Sequence, residues 1–250
     1  MATALILGDI TGRSRVAVRM LTSVLESRGH EVLALPTALI SNTLNLGRHA
    51  ALDTTDYLLK SLETWEALGL SWDCVLIGYV TGLAQAQKLC QIADAARERG
   101  AWVLVDPILG DGGRMYNSVT PEQAEGMRLL ARHADIVTPN LTEARLLTGE
   151  DAGGDALLWA LSAQGKRSAL ITSAELEGGA AAVVGYDAKA GSSFCIPFER
   201  VPGRHFGTGD LFSAHLADGL LRGRTLEDAA REASDAVGRA IRGEGERLPK

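Results

Sequence analysis

The chain has 250 residues, 46% of them hydrophobic and 22% charged, with a formal net charge of −6. That is the composition of a globular domain long enough to bury one large core, and it argues against a nucleic-acid or anionic-membrane surface. Cys74, Cys90 and Cys195 lie far apart with no metal spacing, and no apolar run approaches the roughly 18 residues of a membrane span. The first residues hold no basic segment ahead of a long apolar one. The expectation is a cytoplasmic protein with reduced thiols that acts on a small molecule.

Short apolar runs alternate with amphipathic segments almost from the first residue. Residues 4–8 read as a strand, 16–28 as a helix with Val16, Met20, Leu21, Val24 and Leu25 at helical spacing, and 31–35 as the next strand. Residues 54–68 read as a helix, 73–78 as a buried strand, 84–99 as a helix stopped by Gly100, and 101–105 as a strand. A helix over 121–132, a strand over 135–138, a helix from Thr142 and a strand over 168–172 continue the pattern. Stretches 180–184 and 193–196 predict a hairpin or meander, followed by a helix over about 211–222. No repeat or linker divides the chain, so one domain over 1–250 is expected, with the charged, glycine-rich end 242–250 fraying. Alternation of this kind implies an α/β fold, a mainly parallel sheet covered on both faces by helices.

Such a sheet opens its ligand crevice at the carboxyl ends of its strands. Those ends deliver Gly8-Asp9, Asn42-Thr43, Gly78-Tyr79, Asp106-Pro107, Pro139-Asn140 and Thr172-Ser173 to one edge. Asp106, with Asp111 in the turn Gly110-Asp111-Gly112-Gly113, forms a pair able to hold a hydrated magnesium ion beside nucleotide phosphates; simple turn formation is the alternative. Asn140 and Glu143, three apart, either face one ligand together or make a helix-capping pair. Gly207-Thr208-Gly209-Asp210 opens an apolar helix. It is either a phosphate cradle, with free first-turn amides and a carboxylate base at its edge, or a plain cap.

Together these features point to nucleotide-dependent phosphoryl transfer, in which positioning and charge neutralisation do most of the work. The chain has no GxxxxGK[ST] and no HRD or DFG set, which excludes the P-loop and protein-kinase classes. Gly8-Asp9-Ile10-Thr11-Gly12 lacks the third glycine of a dinucleotide fingerprint.

Four segments, in order, resemble the ribokinase superfamily and more closely its pyridoxal/pyridoxamine kinase branch. They are Leu35-Pro36-Thr37-Ala38-Leu39-Ile40-Ser41, the run from Asp106-Pro107 through Gly110-Asp111-Gly112-Gly113 to Tyr116, Thr138-Pro139-Asn140-Leu141-Thr142-Glu143, and the Gly207–Asp210 turn. The resemblance covers nearly the whole chain. It implies a three-layer α/β/α sandwich without a separate lid domain, a homodimer, and transfer of the ATP γ-phosphate to the 5′-hydroxyl of a vitamin B6 vitamer in the salvage of pyridoxal 5′-phosphate. Under it, Asp210 is the base and Gly207, Thr208 and Gly209 supply the anion hole. Asp106, Asp111, Asn140 and Glu143 arrange Mg²⁺ and phosphates, with Asp106, Asp111 and Glu143 as the metal residues. Thr138, Thr172 and Ser173 contact nucleotide phosphates or a monovalent cation such as K⁺. Asp9, Ser41, Asn42 and Thr43 face the pyridine ring with Tyr79 against it, although Tyr79 also reads as a core aromatic.

The departures lie on the substrate side. Where the family has a polar residue and then Thr-Gly-Tyr after Ser41-Asn42, this chain has Thr43-Leu44-Asn45-Leu46, and Gly12-Arg13-Ser14-Arg15 replaces a glycine-rich turn. Other acceptors therefore stay open: a hydroxymethylpyrimidine, whose kinases usually carry Cys at the place of Asp210, or a sugar. A vitamer-binding protein without catalysis is the third possibility.

Overall fold

The computed structural model describes residues 1–43, 48–151, 153–203 and 205–249. In chain order the elements are β1 (Thr3–Thr11), α1 (Val18–Ser27), β2 (Glu31–Ile40), β3 (Ala51–Asp53), α2 (Thr55–Ala67), β4 (Cys74–Ile77), α3 (Leu83–Glu98) and β5 (Trp102–Val105). A small hairpin of β6 (Gly110–Asp111) and β7 (Arg114–Met115) follows, then α4 (Pro121–Arg132), β8 (Ile136–Val137), α5 (Leu141–Thr148) and α6 (Gly154–Leu161). The chain continues through β9 (Ser168–Glu175), β10 (Ala181–Asp187), β11 (Ser192–Phe198), α7 (Thr208–Leu221) and α8 (Leu226–Ile241).

The main sheet runs β11-β10-β9-β8-β5-β4-β1-β2-β3. Its centre is parallel, from β9 across to β2, and antiparallel strands flank it on both sides. Side-chain alternation builds the two outer layers. Leu5, Leu7, Val75, Ile77, Val103 and Val105 point into a core covered by α2 to α6, whereas Ala4, Ile6, Cys74, Leu76 and Leu104 point the other way against α1, α7 and α8. Both faces are dry, which is why these strands read as unbroken apolar runs rather than alternating ones.

The expected α/β sandwich is therefore present, with differences that matter for the site. The first strand does not stop at Gly8. It bulges between Gly8 and Asp9 and runs on to Thr11, pairing with a second strand that passes through Pro36 to Ile40. Pro36 lacks an N–H and so marks the irregular point of the ladder. The short β3 then pairs antiparallel with Ala38–Ile40. Helices α6 and α8 were not among the expected elements, and α7 starts at Thr208 rather than near Leu211. Residues 244–249, expected to fray, run back along α7, where Glu246 accepts from His215 Nε2 at 3.1 Å and Leu248 packs on the core. Among the described residues no helix is long and apolar enough to cross a membrane.

Helices α7 and α8 meet through a glycine. A Cβ on Gly219 would lie 2.7 Å from Ala229 Cβ and 3.0 Å from its Cα, whereas one on Gly238 of α8 would meet only the tip of Arg242 at 3.4 Å. Gly→Ala inside a helix gains about 1 kcal/mol of propensity, but overpacking costs about 1–3 kcal/mol. Gly219→Ala is expected to lower stability in urea unfolding while Gly238→Ala raises it; equal shifts of the two would show that α7 and α8 do not pack this closely.

Candidate active site

The sheet reverses its winding between β1 and β4, because the chain leaves β1 toward β2 on one side and returns at β4 on the other. Loops leaving adjacent strands in opposite directions open a crevice there. Gly8, Gly78, Tyr79, Asp106, Ile108, Asp210 and Ser213 line its floor, with Ala17 and Val18 at the start of α1.

Helix α7 brings Asp210 to this floor. Gly207 is the residue before the helix and takes φ 76°, a left-handed value that favours glycine, and no side chain caps the helix. The first-turn amides are thereby left without an intrahelical partner. Asp210 sits in that first turn, so it is not the residue that begins the helix. Burial raises its carboxyl above the usual range, and a hydrogen bond to the Ala17 backbone pulls the other way. Ala17 itself is a non-glycine residue at φ 50° and ψ −131°. Such a conformation costs on the order of 1–3 kcal/mol and persists only where its surroundings hold it.

Asp9 and Asp106 feel the charge of Asp210, and Glu143 in turn feels that of Asp106. Asp9, 6% exposed, is pushed up to about 7 by burial and by the charge of Asp210. Asp106, at the end of β5, is also pushed to about 7 by burial and then by Asp210, and hydrogen bonds from Ser213 and Thr138 offset this only in part. Ser213 Oγ donates to Asp106 Oδ2 at 2.8 Å. Glu143, 6% exposed, is raised well above its ordinary value by burial and by Asp106. Asp9 and Glu143 are sealed in, whereas Asp106 and Asp210 are half-buried and keep an edge open to the cleft. No cationic side chain contributes to any of the four.

The capping reading of Asn140 and Glu143 is realised as a reciprocal box at the start of α5. Asn140 Oδ1 accepts from the Glu143 amide at 3.0 Å, and Glu143 Oε2 accepts from the Asn140 amide at 3.0 Å. The remaining atoms reach across to the β5–β6 turn: Glu143 Oε1 accepts from Leu109 N at 3.1 Å, and Asn140 Nδ2 donates to the Gly110 carbonyl at 2.8 Å. Asp111 is exposed on the hairpin, with Oδ1 accepting from Gly112 N at 2.7 Å. Thr172 N donates to the Pro139 carbonyl at 3.0 Å, and Ser173 Oγ accepts from Leu141 N at 3.3 Å, so both sit beside the start of α5. Thr138 is buried, its Oγ1 3.4 Å from Ser213 Oγ.

The expected metal trio is not a ready-made cage: among the described residues no three His, Cys, Asp or Glu side chains converge on a metal-sized point. The donor chemistry nonetheless suits a hard divalent cation, since carboxylates that repel one another without a cationic partner are relieved by one. Mg²⁺ takes only one or two carboxylates and draws its other ligands from water and phosphate.

Tyr79 is 5% exposed and held at its carbonyl and its hydroxyl. Thr37 Oγ1 donates to its carbonyl at 2.6 Å, and Gln123 Nε2 donates to its hydroxyl at 2.6 Å. Gln85 Nε2 in turn donates to the Thr37 carbonyl and to Thr55 Oγ1, both at 2.8 Å. Thr37, Gln85, Gln123 and Ser213 were missed in the sequence. The available signal was a polar residue inside an apolar helical face, and for Gln123 the Thr120-Pro121-Glu122-Gln123 capping box. Tyr116 was quoted in a motif without a role; burial raises its hydroxyl, followed by Glu143, Asp111, Asp106 and Asp210.

The Ser41–Thr43 turn stands apart. Its hydrogen bonds close on itself, Ser41 Oγ to Asn42 Oδ1 at 2.7 Å and Asn42 Nδ2 to the Arg48 carbonyl at 3.2 Å, and none among the described residues reaches the acids. Leu44, Asn45 and Leu46 of the altered loop lie outside the described residues.

The sequence pattern of the phosphomethylpyrimidine kinase family matches residues 33–248. The pyridoxine/pyridoxal/pyridoxamine kinase of Bordetella avium is 34% identical over 220 residues, 83% of this chain and 73% of that protein. A hydroxymethylpyrimidine/phosphomethylpyrimidine kinase of Rhizobium meliloti is 31% identical over 177 residues, 67% of this chain and 63% of that protein. The solved pyridoxal kinase from Lactobacillus plantarum superposes with a TM-score of 0.84 at 30% identity, covering 97% of this chain and 88% of that one. The chain thus belongs to the phosphomethylpyrimidine kinase family and is a kinase of the pyridoxal kinase branch of the ribokinase-like superfamily.

Proposed function

We propose that the protein transfers the γ-phosphate of ATP to the 5′-hydroxymethyl group of a vitamin B6 vitamer, in the salvage of pyridoxal 5′-phosphate. The observation that carries this reading is the half-buried Asp210 in the first turn of an uncapped helix, beside Asp106 at the sheet's switch point. Asp210 takes the proton of the attacking hydroxyl, its carboxyl made more basic than an exposed one by burial. The amides of Gly207, Thr208 and Gly209 face the charge that builds on the transferring phosphoryl group. Asp106 and Asp111, with Glu143 and Asn140 bracing the turn between them, would hold Mg²⁺, which when bound would neutralise phosphate charge. Thr138, Thr172 and Ser173 meet nucleotide phosphates or a monovalent cation. Asp9 and Tyr79 face the ring, with Ser41, Asn42 and Thr43 at its outer side.

A second reading, phosphorylation of a hydroxymethylpyrimidine, is favoured by the family pattern and the Rhizobium meliloti relative. Asp210, standing where those kinases usually carry Cys, supports the first. Incubation with Mg-ATP and, in turn, pyridoxal, pyridoxamine, pyridoxine, hydroxymethylpyrimidine and ribose separates them. A phosphorylated vitamer is the expected product. Turnover of the pyrimidine alone would install the second reading, and no turnover of any compound would point to a binding protein.

Asp210→Asn is expected to lower kcat by about 10²–10⁴-fold while ATP affinity holds; near-normal turnover would reduce Asp210 to a structural acid.

A carboxyl whose pKa is higher folded than unfolded keeps its proton longer in the folded state. Stability then falls as pH rises from the ordinary 3.8 of Asp106 through its folded value of about 7. Tm of the ligand-free protein is expected to drop between pH 5 and pH 8, less steeply in Asp106→Asn, and Mg²⁺ is expected to restore part of the loss in the wild type only. Parallel slopes in the two proteins would remove Asp106 from the metal reading.

A further inference from the structure

We propose that the amino edge of the sheet carries a second anion site, a groove of about 560 Å³ that takes a small phosphate-bearing molecule of mononucleotide size. Arg97, Arg128, Arg132, Lys166 and Arg167 line it, against the single carboxylate of Asp135. Five cations in one recess run against the trend of a chain whose net charge is −6.

The groove is separate from the acid-lined cleft. Asp135 and Arg167 precede β8 and β9, whereas Thr138 and Thr172 follow or end the pairing of those same strands. At the rise of an extended strand, Arg167 and Thr172 are roughly 15 Å apart. The inference therefore does not depend on the kinase assignment.

Helix termini account for part of the charge. Arg97 and Arg132 lie in the last turns of α3 and α4, where the helix dipole favours cations. Arg97 pairs with Asp94 and Asp135, and Arg128 with Glu125. Three cations remain. Among the described residues Arg132, Lys166 and Arg167 have no carboxylate partner. Arg167 Nε donates to the Leu161 carbonyl at 2.9 Å, leaving the outer nitrogens of its fork. Burial and the like charge of Arg132 push that guanidinium down to about 10. Two guanidiniums held in mutual repulsion are relieved by an anion, and planar forks match phosphate oxygens in pairs. Leu147 and Ala160 supply an apolar wall on which a ring can lie.

Calorimetric titration of the full chain with AMP and, separately, with inorganic pyrophosphate tests the site. Wild type is compared with Arg132→Glu/Lys166→Glu and with the neutral pair Arg132→Gln/Lys166→Gln. Both positions are exposed, so thermal melting and vitamer turnover are expected to match wild type. AMP can also enter the cleft beside Asp210, so the difference between proteins is the readout. The groove predicts affinity weakened about tenfold or more in the Glu pair and less in the Gln pair. Loss for both probes means the phosphate is read; loss for AMP alone means the nucleoside is read as well, and either supports the site. Equal affinities in all three proteins, or no binding of either probe to wild type, would overturn it. Should the Glu pair not fold, the Gln pair decides by the same comparison.

Discussion

Four carboxyl groups gather at one crevice, Asp106 and Asp210 on its floor and Asp9 and Glu143 buried behind, with no cation contributing to any of them. Asp210 raises both Asp9 and Asp106, and Asp106 raises Glu143. Burying a charge without a partner is expensive, so such groups drift toward their neutral forms or collect neutral donors. The donors here are the Ser213 hydroxyl, the amides of Leu109 and Asn140, and the Ala17 backbone in its strained conformation. An arrangement so poor in positive charge favours a cation. In the proposed reading magnesium and the phosphates of a nucleotide meet that preference.

The fold holds the crevice by using helix caps twice. At α5, Glu143 closes the capping box with one oxygen and grips the β5–β6 turn with the other. At α4, Gln123 closes its box with Thr120 through the side-chain carbonyl and fixes the Tyr79 hydroxyl through the amide nitrogen. A residue locked by its own helix loses little further freedom when it makes the second contact, which makes it a rigid support. The two helices therefore set the position of the loops that follow β4 and β5, and with them Tyr79 and Asp106.

Parallel strands and their crossover helices also give the molecule an electrostatic polarity. Helix amino ends gather at the carboxyl edge of the sheet and helix carboxyl ends at the other. The acids stand at the first edge near free amides, and unpaired arginines stand at the second. Both edges thus present groups able to meet phosphate, one through backbone N–H, the other through guanidinium forks.

Much of this was legible in the chain. Apolar runs bounded by turns located the parallel strands, since a strand buried on both faces must be apolar throughout. The Pro121–Arg132 helix began and ended as expected, because Thr120 and the following proline are a local start signal. Local signals failed where a partner decides. The extension of β1 and β2 rests on their pairing past a bulge, and β3 exists only because Ala38–Ile40 offers it an edge.

For the candidate site, strand-end logic brought Asp9, Tyr79, Asp106 and Asn140 to one edge, since a parallel sheet points all its carboxyl ends one way. Whether Asn140 and Glu143 cap or face a ligand was undecidable from spacing, because each side chain has atoms enough for both tasks. The site contacts of Thr37, Gln85, Gln123 and Ser213 were not legible, because those hydroxyls and amide nitrogens meet atoms 40 to more than 100 residues away. Residue identity thus determined which chemical groups reach the edge of the sheet. Tertiary structure alone decided which of them share an electrostatic field, because desolvation and Coulomb repulsion depend on distance through space and not along the chain.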